Sequence, residues 1–219
     1  FEQVRAQSSR QLEQEPAAAS AKINLASAYF GIAGHYLFTT EAEKAEEYLN
    51  KAREANPDEP KFYFVLSQLR SKEKDLDGAI EAVNRAIELA PDKALYLATL
   101  ATYYQADGQM EKSVETLRQA DRITPDSGKY IFQIAVMKEK EDAPVAEIIS
   151  LLEQAIEKEP ENAQYRFSLA GFLGQEQKYE QSVAELQEVI RVGAGSRWEN
   201  LARQMIEKTR KKMAAGSRQ

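Results

Sequence analysis

The sequence predicts an all-helical solenoid, a stack of antiparallel helix pairs, and three observations carry that prediction. The stretch from Pro60 to Pro125 contains one pattern twice: "KFYFVLSQLRSKEKDLDGAIEAVNRAIELAP" is followed by "KALYLATLATYYQADGQMEKSVETLRQADRITP", with the marker residues displaced by 34 positions. Leu66-Ser67 recurs as Leu100-Ala101, Ala79 as Ser113, Val83 as Leu117, Ala86 as Ala120 and Pro91 as Pro125. Each unit has large-small apolar pairs in its first half and Ala-x-x-x-Val-x-x-Ala in its second, the spacing that puts one apolar stripe on a helix. A proline then closes the unit, because the residue before proline is pushed out of the helical region. One such pair cannot bury its apolar face alone, so neighbours must stack. A stack grows linearly without enlarging a central core, so the 219 residues are read as one continuous domain.

Taken in order, residues 1–15 have helix-forming composition, with Val4 and Leu12 apolar, and are expected to form an N-terminal helix. Residues 17–57 form the first, irregular repeat, since Pro16 and Pro57 are 41 apart. The excess of seven is close to two helical turns at roughly 3.6 residues each. Leu25, Ala26 and Tyr29 fit first-helix positions, and so do Ile32, Ala33 and Tyr36, which favours a first helix lengthened by two turns. Gly31 and Gly34 each cost about 1 kcal/mol relative to Ala inside a helix, and favour the alternative, a loop over residues 34–40. The second helix is expected from about Glu41, with Ala45, Leu49 and Ala52 on one face.

Residues 58–91 and 92–125 are the regular repeats. Asp58, Asp92 and either Asp126 or Ser127 are the expected N-caps, accepting from otherwise orphan amides. Gly108 sits between the helices of its unit, where a left-handed residue is needed. Residues 126–160 carry one added residue, placed within Glu141-Asp142-Ala143-Pro144, with Pro144 pre-organised for the first turn of a helix. Residues 161–194 keep Leu169, Ala170, Leu173, Ser182, Leu186 and Val189, but Ala194 stands where proline is expected, the decay usual in terminal repeats. Residues 196–214 form a capping helix after Gly193 and Gly195, with Ser196 and Glu199 at capping-box spacing and Trp198, Leu201, Ala202 and Met205 at first-helix spacing. The expectation is thus about five repeats plus terminal helices.

This period and pattern resemble the tetratricopeptide repeat, W…LG…Y…A…F…A…P over 34 residues. The resemblance implies a right-handed solenoid whose first helices line a concave groove, and a non-catalytic scaffold that binds a partner peptide or helix there. Carried over unit by unit, the groove would comprise Phe30, then Phe64, Gln68 and Ser71, then Ala98, Thr102 and Gln105, then Lys129, Phe132 and Val136, then Phe167 beside Gly171 and Gly174. Aromatic anchors among adaptable polar groups suit a peptide laid in a groove. The competing reading is that the four phenylalanine rings pack between neighbouring helices. Chaperone-binding members of the family clamp a C-terminal carboxylate with Lys-Asn, Asn and Lys-Arg; this lining lacks those sets. The alternative function is an architectural or oligomerisation module, a soluble extension of a larger protein such as the bacterial envelope and polysaccharide-export proteins that carry similar arrays.

Composition narrows the chemistry. With no cysteine and one histidine, His35, thiol catalysis, His-based triads and multi-histidine metal sites have too few parts. No phosphate-cradling glycine motif is present, and Gly31-x-x-Gly34 lacks the strand that would give it meaning. Glu43, Glu46, Glu47, Glu157, Glu159 and Glu161 read as helix-surface charges. Neither catalysis nor a cofactor is therefore expected. The net charge of −6 disfavours nucleic acid, whose binding needs phosphate-neutralising cations. The basic tail of Lys208, Arg210, Lys211, Lys212 and Arg218 is read as cations complementing a helix C-terminus, with an anionic-surface patch as the rival. No apolar run approaches the ~18 residues of a membrane span. The expected partner is a protein or peptide, with homo-oligomerisation open and both cytoplasm and periplasm compatible. Phe1 is not an initiator Met, so the chain is read as a fragment or processed product.

Overall fold

The computed structural model describes residues 24–36, 39 and 42–216. The N-terminal helix expected over residues 1–15, and the start of a helix at Glu41, lie outside the described residues. Among the described residues every regular element is a helix. These are α1 (residues 24–36), α2 (Ala42–Ala55), α3 (Pro60–Lys72), α4 (Leu76–Leu89), α5 (Ala94–Ala106), α6 (Met110–Ile123), α7 (Lys129–Lys140), α8 (Val145–Lys158), α9 (Ala163–Gln175), α10 (Tyr179–Val192) and α11 (Arg197–Gly216). The chain divides into two compact units, Phe1–Ser113 and Val114–Gln219.

Within a repeat the two helices are joined by a short turn and pack against each other, as α3 does on α4, α7 on α8 and α9 on α10. The turn reverses through one left-handed residue: Lys74 (φ 67°), Gly108 (φ 77°), Asp142 (φ 51°) and Gln177 (φ 58°). Each is followed by an amide that reaches five residues back, as Asp75 donates to the Arg70 carbonyl at 2.9 Å and Gln109 to Tyr104 at 2.8 Å. This Schellman closure satisfies carbonyls that the helix end leaves open. Only Gly108 announces the conformation in the sequence. The added residue of the fourth repeat lies in its turn, where four residues separate α7 from α8, and Pro144 sits at the N-cap of α8 rather than inside its first turn.

Between repeats a second turn recurs, with proline at its second position. Glu59 donates to Asn56, Lys93 to Ala90, Ser127 to Thr124 and Asn162 to Glu159, at 3.1–3.4 Å. Proline's fixed φ suits that position, and α2, α4, α6 and α8 each end two residues before it. This geometry corrects the expected caps. Asp58 and Asp92 occupy the third position of the turn, so the N-caps fall on Glu59 and Lys93, which make no side-chain cap bond. Side-chain capping occurs instead at Asp75, which accepts from Gly78, and at Asn162, which accepts from Gln164 and Tyr165. At α11, Ser196 Oγ accepts the Trp198 amide at 3.2 Å and the Glu199 carboxylate accepts the Gly195 amide at 2.9 Å, a reciprocal cap displaced by one residue from the expected box.

The core follows the repeat. Ala33, Ser67, Ala101, Ala135, Ala170 and Ala202 are all at most 1% exposed, which lets paired helices approach closely. Val83, Leu117, Leu152 and Leu186 fill the space from the second helices, and Leu100, Ile134 and Leu169 from the first. Two second helices, α6 and α10, carry serine where α2 and α4 carry alanine. Ser113 donates to the Ala101 carbonyl at 2.6 Å and Ser182 to the Ala170 carbonyl at 2.7 Å, so neither hydroxyl is buried without a partner.

α1 runs through both glycines, with Ala26 and Ala33 buried on its inner face and Leu25 and Ile32 exposed. Ala33, Ala45, Leu49 and Ala52 stand 34 residues before Ser67, Ala79, Val83 and Ala86, and all eight are buried. The later half of the irregular repeat therefore keeps the regular register.

Candidate partner-binding surface

In the unit Phe1–Ser113, α3 and α5 carry most of the sequence-predicted residues. The Phe64 ring stacks on Tyr96 of the next first helix, with centroids 4.8 Å apart and planes at 30°. Phe30 is 9% exposed and shares a buried cluster with Phe62 and Leu69; Ala98 is 8% exposed. Neither offers much surface to a ligand. Thr102 is exposed, and its hydroxyl donates to the Ala98 carbonyl at 3.0 Å. Ser71 is half-buried and hydrogen-bonds the Tyr103 hydroxyl, which Ser67 also meets at 3.2 Å. Burial pushes the Tyr103 phenol up from its ordinary value, with the two serines acting in the opposite direction. Gln68 and Gln105 are half-buried, and no described residue hydrogen-bonds their side-chain amides. They stand at equivalent faces, Gln68 with Thr102 and Ser71 with Gln105.

In the unit Val114–Gln219 the same stacking recurs. Phe132 lies on Tyr165 at 4.7 Å and 26°, and Phe167 on Trp198 at 5.4 Å and 49°. Val136 is half-buried, and exposed Lys129 holds its ammonium 5.5 Å from the Tyr130 ring centre. Phe64, Phe132 and Phe167 thus bridge successive first helices and are half-buried there. That role is visible in the sequence only in hindsight, since Phe64, Phe132 and Phe167 each precede an aromatic residue by 31 to 33 positions.

Glu159, expected as a helix-surface charge, is instead tied into the fold, and two clefts were not singled out from the sequence. The Glu159 carboxylate, half-buried at the end of α8, accepts from Gly128 N at 2.8 Å, Ser127 Oγ at 2.9 Å and Asn162 Nδ2 at 3.0 Å. Burial opposes its charge, but the donors from Asn162, Ser127, Gly128 and Tyr165 together hold the carboxyl below its ordinary value. The Tyr165 phenol, buried and facing that carboxylate, is pushed up to about 12. A cleft of about 330 Å³ lies between α9 and α11 over Gly171, Gly174, Leu201 and Met205, with Lys208 and Lys212 at its rim. The sequence signal for it is the pair of glycines in α9, which present no side chain to it. A larger cleft, about 740 Å³, follows α3 and α4, but its cations are already matched, Arg70 to Glu73 and Glu46, and Arg85 to Glu88.

Among the described residues no group of three or more His, Asp or Glu could hold a metal ion, and no helix is long and apolar enough to cross a membrane. His35 is exposed beside Tyr36.

Short helix pairs joined by two recurrent turns, with a row of half-exposed side chains along the first helices, define a helical-repeat interaction scaffold. Tetratricopeptide repeat models match residues 39–103 and 94–127 of this chain. No curated protein matches it in sequence. Among solved structures it is similar to Pseudomonas aeruginosa pilF, at 16% identity and TM-score 0.66 over 86% of this chain and 90% of that one. It is similar to yeast Tom70 at 16% identity and TM-score 0.70, over 87% of this chain and 41% of that one. YrrB, described as a tetratricopeptide protein with an unusual peptide-binding site, aligns at 16% identity and TM-score 0.55 over 80% of this chain and 90% of that one. At these identities the likeness is one of fold.

Proposed function

We propose that the chain is a non-catalytic scaffold that holds a segment of a protein partner against the first-helix faces of its repeats. The observation that carries this reading is the pair Gln68 and Gln105, half-buried amides that no described residue satisfies. Both amides are open to water, and the backbone of an extended segment supplies donors and acceptors that take water's place. Thr102 occupies the position in α5 that Gln68 holds in α3, Ser71 the position in α3 that Gln105 holds in α5, and half-buried Phe64 adds apolar contact in the same unit. The peptide-binding site named for YrrB supports the same use of the fold.

The test is selection from a displayed random-peptide library on the full chain, followed by titration of enriched peptides. The combined Gln68→Ala and Gln105→Ala variant is expected to lose about tenfold in affinity, two hydrogen bonds of roughly 0.5–1.5 kcal/mol each, with its melting temperature unchanged. Undiminished affinity would refute the assignment of these faces.

One observation favours the architectural alternative. Leu25 and Ile32, seven residues apart on α1, are 48% and 38% exposed. A light-scattering mass above 24.7 kDa that returns to one chain in the Leu25→Glu, Ile32→Glu variant would support it.

A further inference from the structure

The cleft between α9 and α11 has an apolar floor and an unmatched charge at its edge. Gly171 and Gly174 contribute no side chain to it; a Cβ on Gly171 would come within 3.8 Å of Met205 Cε. Leu201, 40% exposed, and Met205 line it from α11. One turn further along that helix, Lys208 and Lys212 stand on the same side, spaced by four residues. α11 carries six cations and two carboxylates. Both carboxylates are already held, Glu199 by Arg203 at 2.7 Å and Glu207 by Lys211 at 2.6 Å. Arg197 lies over the Trp198 ring. Lys208 and Lys212 form no ion pair or hydrogen bond with any described residue.

We propose that this cleft takes one large apolar side chain of a partner segment whose flanking residues are carboxylates, with Lys208 and Lys212 receiving the carboxylates. The proposal rests on the scaffold reading and names the chemistry of its partner at one place. An apolar pocket with a few convergent polar groups is the ordinary form of a recognition subsite. Gln175 and Gln204 at the same cleft supply amides for the segment's backbone. Charge complementarity fixes the position of the segment as well as its preference. The chain as a whole is acidic, with a net charge of −6, so an acidic segment is repelled elsewhere and drawn to this end. A polyanion such as nucleic acid would need many phosphate contacts to overcome the same overall charge, and would leave the apolar floor unused.

The test uses the full chain and two variants, the charge reversal Lys208→Glu with Lys212→Glu, and the pocket-filling Gly171→Leu. The latter replaces a helical glycine with a better helix former, so circular dichroism should show melting at or above the wild-type value. Peptides selected from a random display library should be rich in carboxylates around one large apolar residue. Both variants should lower their affinity by about tenfold or more, and in the charge reversal the fall of affinity with salt should turn into a rise as repulsion is screened. Enriched peptides without carboxylates, or affinity unmoved by both variants, would overturn the proposal. If affinity then still falls in the Gln68→Ala, Gln105→Ala variant, the scaffold reading stands while the acidic partner does not. If nothing is enriched, both fall. Binding to vesicles of phosphatidylglycerol and phosphatidylcholine that the charge reversal abolishes, without acidic peptides enriched, would assign the lysines to a lipid surface and overturn it equally.

Discussion

The carboxylate of Glu159 accepts the backbone amide of Gly128 at 2.8 Å, tying the first residue of one proline turn to the start of the helix pair preceding it. Three more donors converge on the same group, from Ser127, Asn162 and Tyr165. Hydrogen bonds to a charged acceptor are worth roughly 1.5–3 kcal/mol when both partners are held in place. Glu159→Gln keeps the shape and replaces two lone-pair sites with donors facing donors. It should cost about 1–3 kcal/mol, read as a fall in the urea midpoint. The folded-state pKa lies below the ordinary 4.5, so this contribution is fully present above that value and is lost as pH falls through the folded pKa. The gap between wild type and variant should therefore close on acidification below 4.5.

Gly128 itself gives a prediction opposite in sign to helix propensity. Its φ is −77°, which any residue adopts. A Cβ there would sit 2.5 Å from the Ala155 carbonyl oxygen and 2.9 Å from the Tyr165 ring. Gly128→Ala should thus lower stability by about 1–3 kcal/mol, the range for overpacking, and should disturb the Glu159 bonds with it. A rise in melting temperature would show that α8 shifts freely.

At Lys74 and Gln177 the strain runs the other way. Both hold positive φ, at 67° and 58°, in the turn that Gly108 makes with φ 77°. A side chain in that region is disfavoured by roughly 1 kcal/mol or more. Lys74→Gly and Gln177→Gly should each leave stability unchanged or raise it by up to about 1 kcal/mol, measured by thermal unfolding. Gly108→Ala should lower it.

Phe132 separates packing from binding. Its ring lies 4.7 Å from Tyr165 in a near-parallel stack. Such pairs add about 0.5–1.5 kcal/mol beyond area burial, so Phe132→Ala should cost roughly 2 kcal/mol in all, less than the 3–5 of a fully buried ring. An unchanged unfolding midpoint would show the ring to be free for a ligand.

Leu100 tests the first-helix core directly. It is 6% exposed within the cluster of Ala79, Val83 and Tyr96. Leu100→Ala should destabilise by about 2–5 kcal/mol, and a near-zero change would refute the assigned face.

Much of the fold was legible because it is written in apolar spacing and proline position. Ala79, Val83 and Ala86 announce a buried helix face, and Pro91 announces its end. What the pattern could not supply is anything set by backbone geometry outside the helices. Asp58 and Asp92 have the right chemistry for caps, yet the proline turn advances the chain one residue past them. Lys74 carries no mark of its left-handed φ. The surface residues were harder still. Phe64 and Phe132 occupy positions that face outward from their own helix pair, but an aromatic on the next first helix closes over each, and that contact joins residues more than thirty apart. The lysine-rimmed cleft was hidden for the complementary reason: Gly171 and Gly174 matter through the side chains they lack.

The proline turn has a consequence for how the chain could change in length. At Asn56–Glu59, Ala90–Lys93, Thr124–Ser127 and Glu159–Asn162 the backbone closes through the same hydrogen bond, so the joint is indifferent to which hairpin it follows. Excising the segment from Asp58 to Pro91 would leave Pro57 followed by Asp92, the same Pro-Asp pair that stands at the first three of those turns now, the fourth having Pro160-Glu161. Duplicating it would be equally silent at the seam. Gain or loss of a whole hairpin therefore requires no new connection, only a tolerable pairing between the faces newly brought side by side.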